Sequence, residues 1–208
     1  MRLVPGNIPD RKVQEEFREN IINTINKAKK NNDVVLFSDP THQIYNVSNG
    51  YVWQEVGAKN TKVISSNSGR RRINIIGALN PINLKPTSII TESNCDQEMI
   101  KIFLGEIRKE YPIAKTIYVF LDNAKYNHGI KVKTEAEKLN IQLMFLPPYC
   151  PNLNLIERLW KFLKKKIRKN KYYNTFEKFE KAICEFFKNI DQYKKELERL
   201  LTLNFEII

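Results

Sequence analysis

The run Ile117-Tyr-Val-Phe-Leu-Asp-Asn123 decides how this chain folds. Five consecutive apolar residues, rich in β-branched and aromatic side chains, read as a strand buried on both faces, and Asp122-Asn123 supply the turn chemistry that ends it. A polar helix from about Ile130 to Leu139 follows. Ile141 to Leu146 is a second strand of the buried type, ended by the breakers Pro147-Pro148-Tyr149-Cys150-Pro151-Asn152. From Asn154 a long helix is expected, with Leu155, Ile156, Leu159, Trp160, Leu163 and Ile167 as its core stripe.

Working upstream, Met99 to Tyr111 has helical spacing, with Ile100, Phe103, Leu104 and Ile107 on one face. Tyr51 to Val56, Arg72 to Leu79 and Ser88 to Thr91 read as strands of an antiparallel meander, punctuated by Gly50, Gly57, Gly69, Pro81 and Pro86. Val34 to Phe37 is a short β-branched run that meets Ser38-Asp39-Pro40, and a proline forbids simple continuation of a central strand. Asp39 is therefore expected at that strand's C-terminal end. Val13, Phe17, Ile21, Ile25 and Ala28 mark one amphipathic helix from Arg11 to Lys30, stopped by Asn31-Asn32. Downstream, a helix after Asn174-Thr175 carries Phe176, Phe179, Ile183, Phe186 and Phe187, and another lies near Gln192 to Leu201. Strands first, then strands alternating with helices, predict an α/β chain with a mixed sheet. The expected organisation is an N-terminal helix over 1–32, a core over 33–170 and a helical tail over 171–208, without internal repeats.

Charge narrows the partners. Among 208 residues, 35 Lys and Arg face 23 Asp and Glu, a formal +12 that favours a polyanion such as nucleic acid. No apolar run approaches the roughly 18 residues of a membrane span, so no membrane partner is expected. Met1 to Pro9 lacks the charged-then-apolar pattern of a secretory signal, which predicts a cytoplasmic protein. Cys95, Cys150 and Cys184 are widely separated and read as reduced, while His42 and His128 are the only imidazoles. Any metal here is expected to be bound by oxygen.

Three acidic residues stand where such oxygen would be useful. Asp39 and Asp122 close strands and Glu157 lies in the first turn of a helix, and crevices of α/β sheets gather functional groups beyond strand carboxyl ends. Three ionised carboxylates crowded together repel one another, so the cluster needs protons or a hard cation. Magnesium or manganese suits it, since both take carboxylate and water oxygens and leave room for phosphate.

The stretches Val34-Val-Leu-Phe-Ser-Asp-Pro-Thr-His42, Val119-Phe-Leu-Asp-Asn-Ala-Lys-Tyr126 and Leu146-Pro-Pro-Tyr-Cys-Pro-Asn-Leu-Asn-Leu-Ile-Glu-Arg-Leu-Trp160 resemble the three signature blocks of mariner-superfamily DDE transposases, in their bacterial insertion-sequence branch. The 34 residues between Asp122 and Glu157 agree with that superfamily's spacing. The resemblance, running from about Arg11 to the C-terminus, implies a ribonuclease H-like fold: a mixed five-stranded sheet with helices on both faces. It implies two Mg²⁺ ions, replaceable by Mn²⁺, with Asp39 bridging both and Asp122 and Glu157 each holding one. It implies hydrolysis of double-stranded DNA at element ends, then attack of the freed 3′-hydroxyl on target DNA, with TA dinucleotides as targets, and a homodimer holding two ends. Complete members carry N-terminal helix-turn-helix modules, whereas one helix precedes the first strand here, so end recognition is expected from a separate chain or to have been lost.

Basic residues offer a DNA track. Lys161, Lys164, Lys165 and Arg168 follow helical spacing from Glu157, and Arg70, Arg71 and Arg72 form a second cluster in an expected turn suited to phosphate contacts. Each feature also has an ordinary reading. Asn154 and Glu157 fit a capping box, Asp39 and Asp122 are good turn residues, the lysines fit a solvated face, and both histidines fit structural roles. Asn123 fits either a partner of Asp122 or of a metal-bound water, or a strand-end cap. A catalytically silent DNA-binding remnant and another ribonuclease H-fold nuclease are the alternative functions, the latter disfavoured by the block around Glu157.

Overall fold

In a computed structural model of the chain, residues 10–48, 53, 56 and 63–208 are described. The expected strand at 51–56 and the glycines at 50 and 57 lie outside the described residues, apart from single exposed positions at Trp53 and Val56. The sheet is built from β1 (Val34–Ile44), β2 (Arg72–Leu79), β3 (Pro86–Thr91), β4 (Ile117–Leu121) and β5 (Ile141–Phe145), in the order β3-β2-β1-β4-β5. β1, β2 and β3 form an antiparallel meander in which β1, not the expected strand at 51–56, pairs with β2, and β4 runs parallel to both β1 and β5. The sheet is therefore mixed and five-stranded, as the resemblance implies.

Alternation along the strands produces two cores. Val35, Phe37, Ile73, Ile75 and Phe120 face α1 (Arg11–Asn31), α4 (Ile156–Ile167) and α5 (Phe176–Lys188), while Leu36, Ala78, Val119 and Leu121 face α2 (Gln97–Glu110) and α3 (Ile130–Lys138). Helices thus cover both faces. Asn32, at φ 58°, ends α1 by turning left-handed and donating to Ala28 O, a conformation asparagine tolerates. Among the described residues no helix is long and apolar enough to cross a membrane.

β1 departs from expectation: it does not stop at Asp39 but continues to Ile44, with Asp39 opposite Gly77 and Pro40 opposite Ile76 on β2. The pairing of β1 with β4 covers only Val34 to Phe37, so beyond Phe37 the strand is open on that side. An open edge tolerates a proline because no ladder bond is lost there. The gap this leaves, between continuing β1 and terminated β4, is where Asp39 sits.

Two further departures bear on the site. α4 begins at Ile156 rather than Asn154, with Leu155 at the cap position and no side-chain cap. The tail forms α5, a 3-10 turn (Ile190–Tyr193) and α6 (Lys194–Leu200), and its last residues are clasped by α1 and the block around Glu157. Gln14 exchanges hydrogen bonds with the backbone of Ile208 at 2.9 and 3.2 Å, and Asn152 donates to Glu206 O at 2.7 Å. Arg158 donates to Thr202 O at 2.8 Å and Asn204 O at 2.7 Å.

One packing contact fixes α4 on the sheet. The Trp160 ring lies on Gly77 so closely that a Cβ there would fall 2.5 Å from Trp160 Cη2, and Trp160 is only 5% exposed. Gly77→Ala is expected to destabilise the fold by about 1–3 kcal/mol, since neither ring nor backbone has room to yield. Urea unfolding followed by circular dichroism measures this; an unchanged midpoint would show that the ring is not held against Gly77.

Candidate active site

Three elements bring one carboxylate each to a common pocket of about 400 Å³. Asp39 comes from β1, Asp122 from the residue after β4, and Glu157 from the first turn of α4. Alternation puts Asp39 on the same face as Val35 and Phe37, the face that α4 covers. The opposite wall is apolar, made by Pro147, Pro148, Tyr149 and Pro151 of the turn between β5 and α4.

Each acid is held by its surroundings. Asp122 Oδ1 accepts from Asn127 Nδ2 at 2.9 Å and from the Ala124 N–H at 3.2 Å. Asn127 is buried and also donates to Asp122 O at 3.3 Å, so it fixes the carboxylate's rotation. The sequence reading missed Asn127; its one signal was a short amide five residues past Asp122. Asn123 takes the strand-end role, with Nδ2 donating to Leu146 O and tying the end of β4 to the residue after β5. Asn154 does not form the capping box. Its Nδ2 donates to Ser38 O at 3.1 Å, and only its backbone carbonyl meets the Glu157 N–H, at 3.2 Å. The glutamate side chain is thereby left to the pocket.

The charges interact as their crowding demands. Burial, then Glu157, then Asp122 push the Asp39 carboxyl up to about 8, and the Trp160 indole draws it partly back. Burial raises Glu157 as well, with Lys161 opposing and Asp122 adding to the shift. Behind the aspartates, burial raises both Cys95, to about 11, and Tyr126, and the negative charge of Asp122 and Asp39 adds to each. Among the described residues no three acidic, histidine or cysteine side chains close around a single ion position. The three carboxylates instead line one pocket that stays open to solvent and substrate. That suits Mg²⁺ or Mn²⁺, which are held by a few carboxylates together with water and substrate phosphate, better than a metal that needs an all-protein cage.

The expected basic residues divide between exposed and partnered positions. Lys161, Lys164 and Lys165 are exposed on α4, with Lys161 near enough to Glu157 to influence it. Arg168 turns inward and donates to Asn46 O at 3.1 Å. Arg70 and Arg71 precede β2 and Arg72 is its first residue, so the cluster is not a turn. Arg71 pairs with Glu92 at 3.1 Å and lies over the Phe176 ring at 3.5 Å, and Arg72 donates to Asn94 at 3.2 Å. Arg70 is exposed. His128 stacks on Phe145 with centroids 4.1 Å apart, and His42 is exposed beside Pro40 and Arg72 in a separate depression.

Comparison with known proteins adds family and fold. Residues 34–180 match the family of DDE superfamily endonucleases. The uncharacterized protein y4pE/y4sA of Sinorhizobium fredii is 29% identical over 119 residues, covering 57% of this chain and 85% of that protein. The Mos1 mariner paired end complex with Mn superposes with a TM-score of 0.69 at 15% identity, over 96% of this chain and 62% of that one. The Mos1 strand transfer complex gives 0.67 at 13% identity, over 100% and 66%. The catalytic domain of Mos1 mariner transposase gives 0.60 at 13% identity, over 95% and 92%. The shared fold is ribonuclease H-like, and the chain spans 62% of the transposase chain in the paired end complex.

Without divalent ions the carboxylate cluster should weaken the fold as pH rises. Folded Asp39 keeps its proton to about pH 8 against an ordinary 3.8, so unfolding releases a proton between those limits and stability falls across that window. Asp39→Asn is expected to raise the metal-free melting temperature by roughly 5 °C at pH 8, and the gain should shrink toward pH 4. Melts in EDTA across that range test it; a difference that stays constant with pH would contradict the coupled cluster.

Proposed function

The chain belongs to the family of DDE superfamily endonucleases, and from that premise we propose that it is the catalytic domain of a transposase, which cleaves DNA at element ends and joins the freed 3′-hydroxyl to target DNA. The observation that carries this reading is the meeting of Asp39, Asp122 and Glu157 in one pocket. In this reading the three are the catalytic carboxylates and hold two divalent cations. Such ions supply an activated attacking oxygen and neutralise the charge of the leaving oxygen in an in-line displacement.

The chain's own residues set the stage for that chemistry. Asp39 feels both other carboxylates and would hold the ions together with them. Asn127 keeps one oxygen of Asp122 engaged and so orients the other outward. Asn154 anchors the start of α4 to β1 beside Asp39, which sets the distance between the carboxylates of Glu157 and Asp39. Lys161, Lys164 and Lys165 present positive charge for DNA phosphates along the helix that carries Glu157. Arg70, Arg71 and Arg72 are exposed and extend that charge, and Arg168, which also donates to Asn46 O, closes the helical stripe.

Double-stranded DNA is the substrate in this proposal, as both element end and target. The Mos1 structures include a paired-end complex with a left transposon end and complexes with Mn or Mg, which support the same partners here. Binding through lysines and arginines alone is salt-sensitive and tolerant of sequence. Recognition of particular ends then falls to a helix-turn-helix module outside the catalytic domain, and holding two ends together calls for two copies of the chain.

Nicking of supercoiled plasmid in Mg²⁺ or Mn²⁺ at low salt is the test. Activity should vanish in EDTA and fall by roughly a hundredfold or more in Asp39→Asn, Asp122→Asn and Glu157→Gln. Metal-dependent nicking that survives all three substitutions would sink the site assignment.

A further inference from the structure

Trp160 occupies a core position on α4, yet one of its atoms is not accounted for by packing. The side chain is 5% exposed, and its Nε1–H is fully buried and meets no acceptor at hydrogen-bond geometry. Buried donors in folded proteins almost always have a partner, so an orphan next to a functional pocket points to a partner that comes into place with the ligand. Two placements say which acceptor that is. The ring rests on Gly77, and Gly77 stands opposite Asp39 in the β1–β2 register. Trp160 also lies three residues after Glu157 on the same helix, so its edge and the glutamate approach β1 from one side.

We infer that the indole N–H of Trp160 is a positioning donor for the Asp39 carboxylate, taking one of its oxygens when a divalent cation takes the other. The inference rests on the proposed role of Asp39 as a metal ligand. A donor on one oxygen fixes the rotation of the carboxylate and favours its anionic form, the form a hard cation requires. Hydrogen bonds of this outer kind orient metal ligands, and their loss weakens metal binding by about 10–100-fold. The vacancy at Gly77 fits the same purpose, because any side chain there would lift the indole away from β1.

The test removes the donor and nothing else. In the full chain carrying Trp53→Phe, which removes an exposed indole, Trp160 is the only remaining tryptophan. Replacing Trp160 with β-(3-benzothienyl)alanine keeps the ring's shape but has no N–H. Mn²⁺ affinity is read by electron paramagnetic resonance, folding by circular dichroism, and the indole ¹H–¹⁵N signal of the Trp160 parent by NMR during a Mg²⁺ titration. The expected results are about 10–100-fold weaker Mn²⁺ binding with an unchanged fold, and an indole signal that moves downfield with Mg²⁺ in the parent but not in Asp39→Asn. Unchanged Mn²⁺ affinity in the benzothienylalanine protein, alongside lost binding in Asp39→Asn, would overturn the role of Trp160 and leave the metal site standing. Full Mn²⁺ binding by Asp39→Asn would overturn both.

Discussion

Beyond Phe37 the first strand keeps its partner on one side and loses it on the other, and the candidate site occupies the space this opens. A parallel strand that stops while its neighbour continues leaves a crevice lined by one strand's flank and the other's end. β4 stops at Leu121, so Asp122 leaves the sheet at the rim, while Asp39 stays in the wall of the crevice. The Leu146 N–H still bonds Leu121 O at 2.9 Å, so the chain closes the far side before it turns through its prolines into α4. The glutamate arrives across the opening. Helix, strand end and strand interior thus each contribute a carboxylate through different backbone constraints, and no flexible loop has to hold two of them at once.

That arrangement carries an electrostatic cost. Burial and mutual repulsion raise the Asp39 and Glu157 carboxyls, so the fold works against full ionisation of its own pocket. Nearby groups offset part of this: Asn127 on Asp122, Lys161 near Glu157, the indole near Asp39. The molecule is arranged to welcome positive charge at one place on a surface that is otherwise strongly basic. A polyanion drawn to the lysines meets carboxylates it would be repelled by unless cations intervene.

Local pattern made much of this legible. β4 begins and ends where its apolar run does, because a buried strand needs unbroken apolar sequence and the flanking residues cannot supply it. The pairing of β2 with β3 and the core stripe of α4 follow from apolar periodicity, whereas helices on both faces are implied by the family resemblance. What the sequence obscured depends on neighbours distant in the chain. Pro40 reads as a stop, yet it is accommodated because β4 ends early, a fact about another segment. Asn154 and Glu157 match a capping box, but the asparagine is claimed by Ser38, 116 residues away. Asn127 and Gly77 carry no local mark of importance, since one matters for where Asp122 folds to and the other for what α4 lays upon it. That Arg71 and Arg72 also meet Glu92, Asn94 and Phe176 is hidden because those residues lie far off in sequence.

The seating of Trp160 on Gly77 has an implication for how this chain can change in length. An α-helix turns by about 100° per residue, so adding or deleting one residue between Glu157 and Trp160 would swing either the acid or the ring off its target. The missing methyl at position 77 behaves as a keyhole that admits α4 at a single rotation. The three-residue interval from glutamate to tryptophan is a gauge the sheet itself enforces.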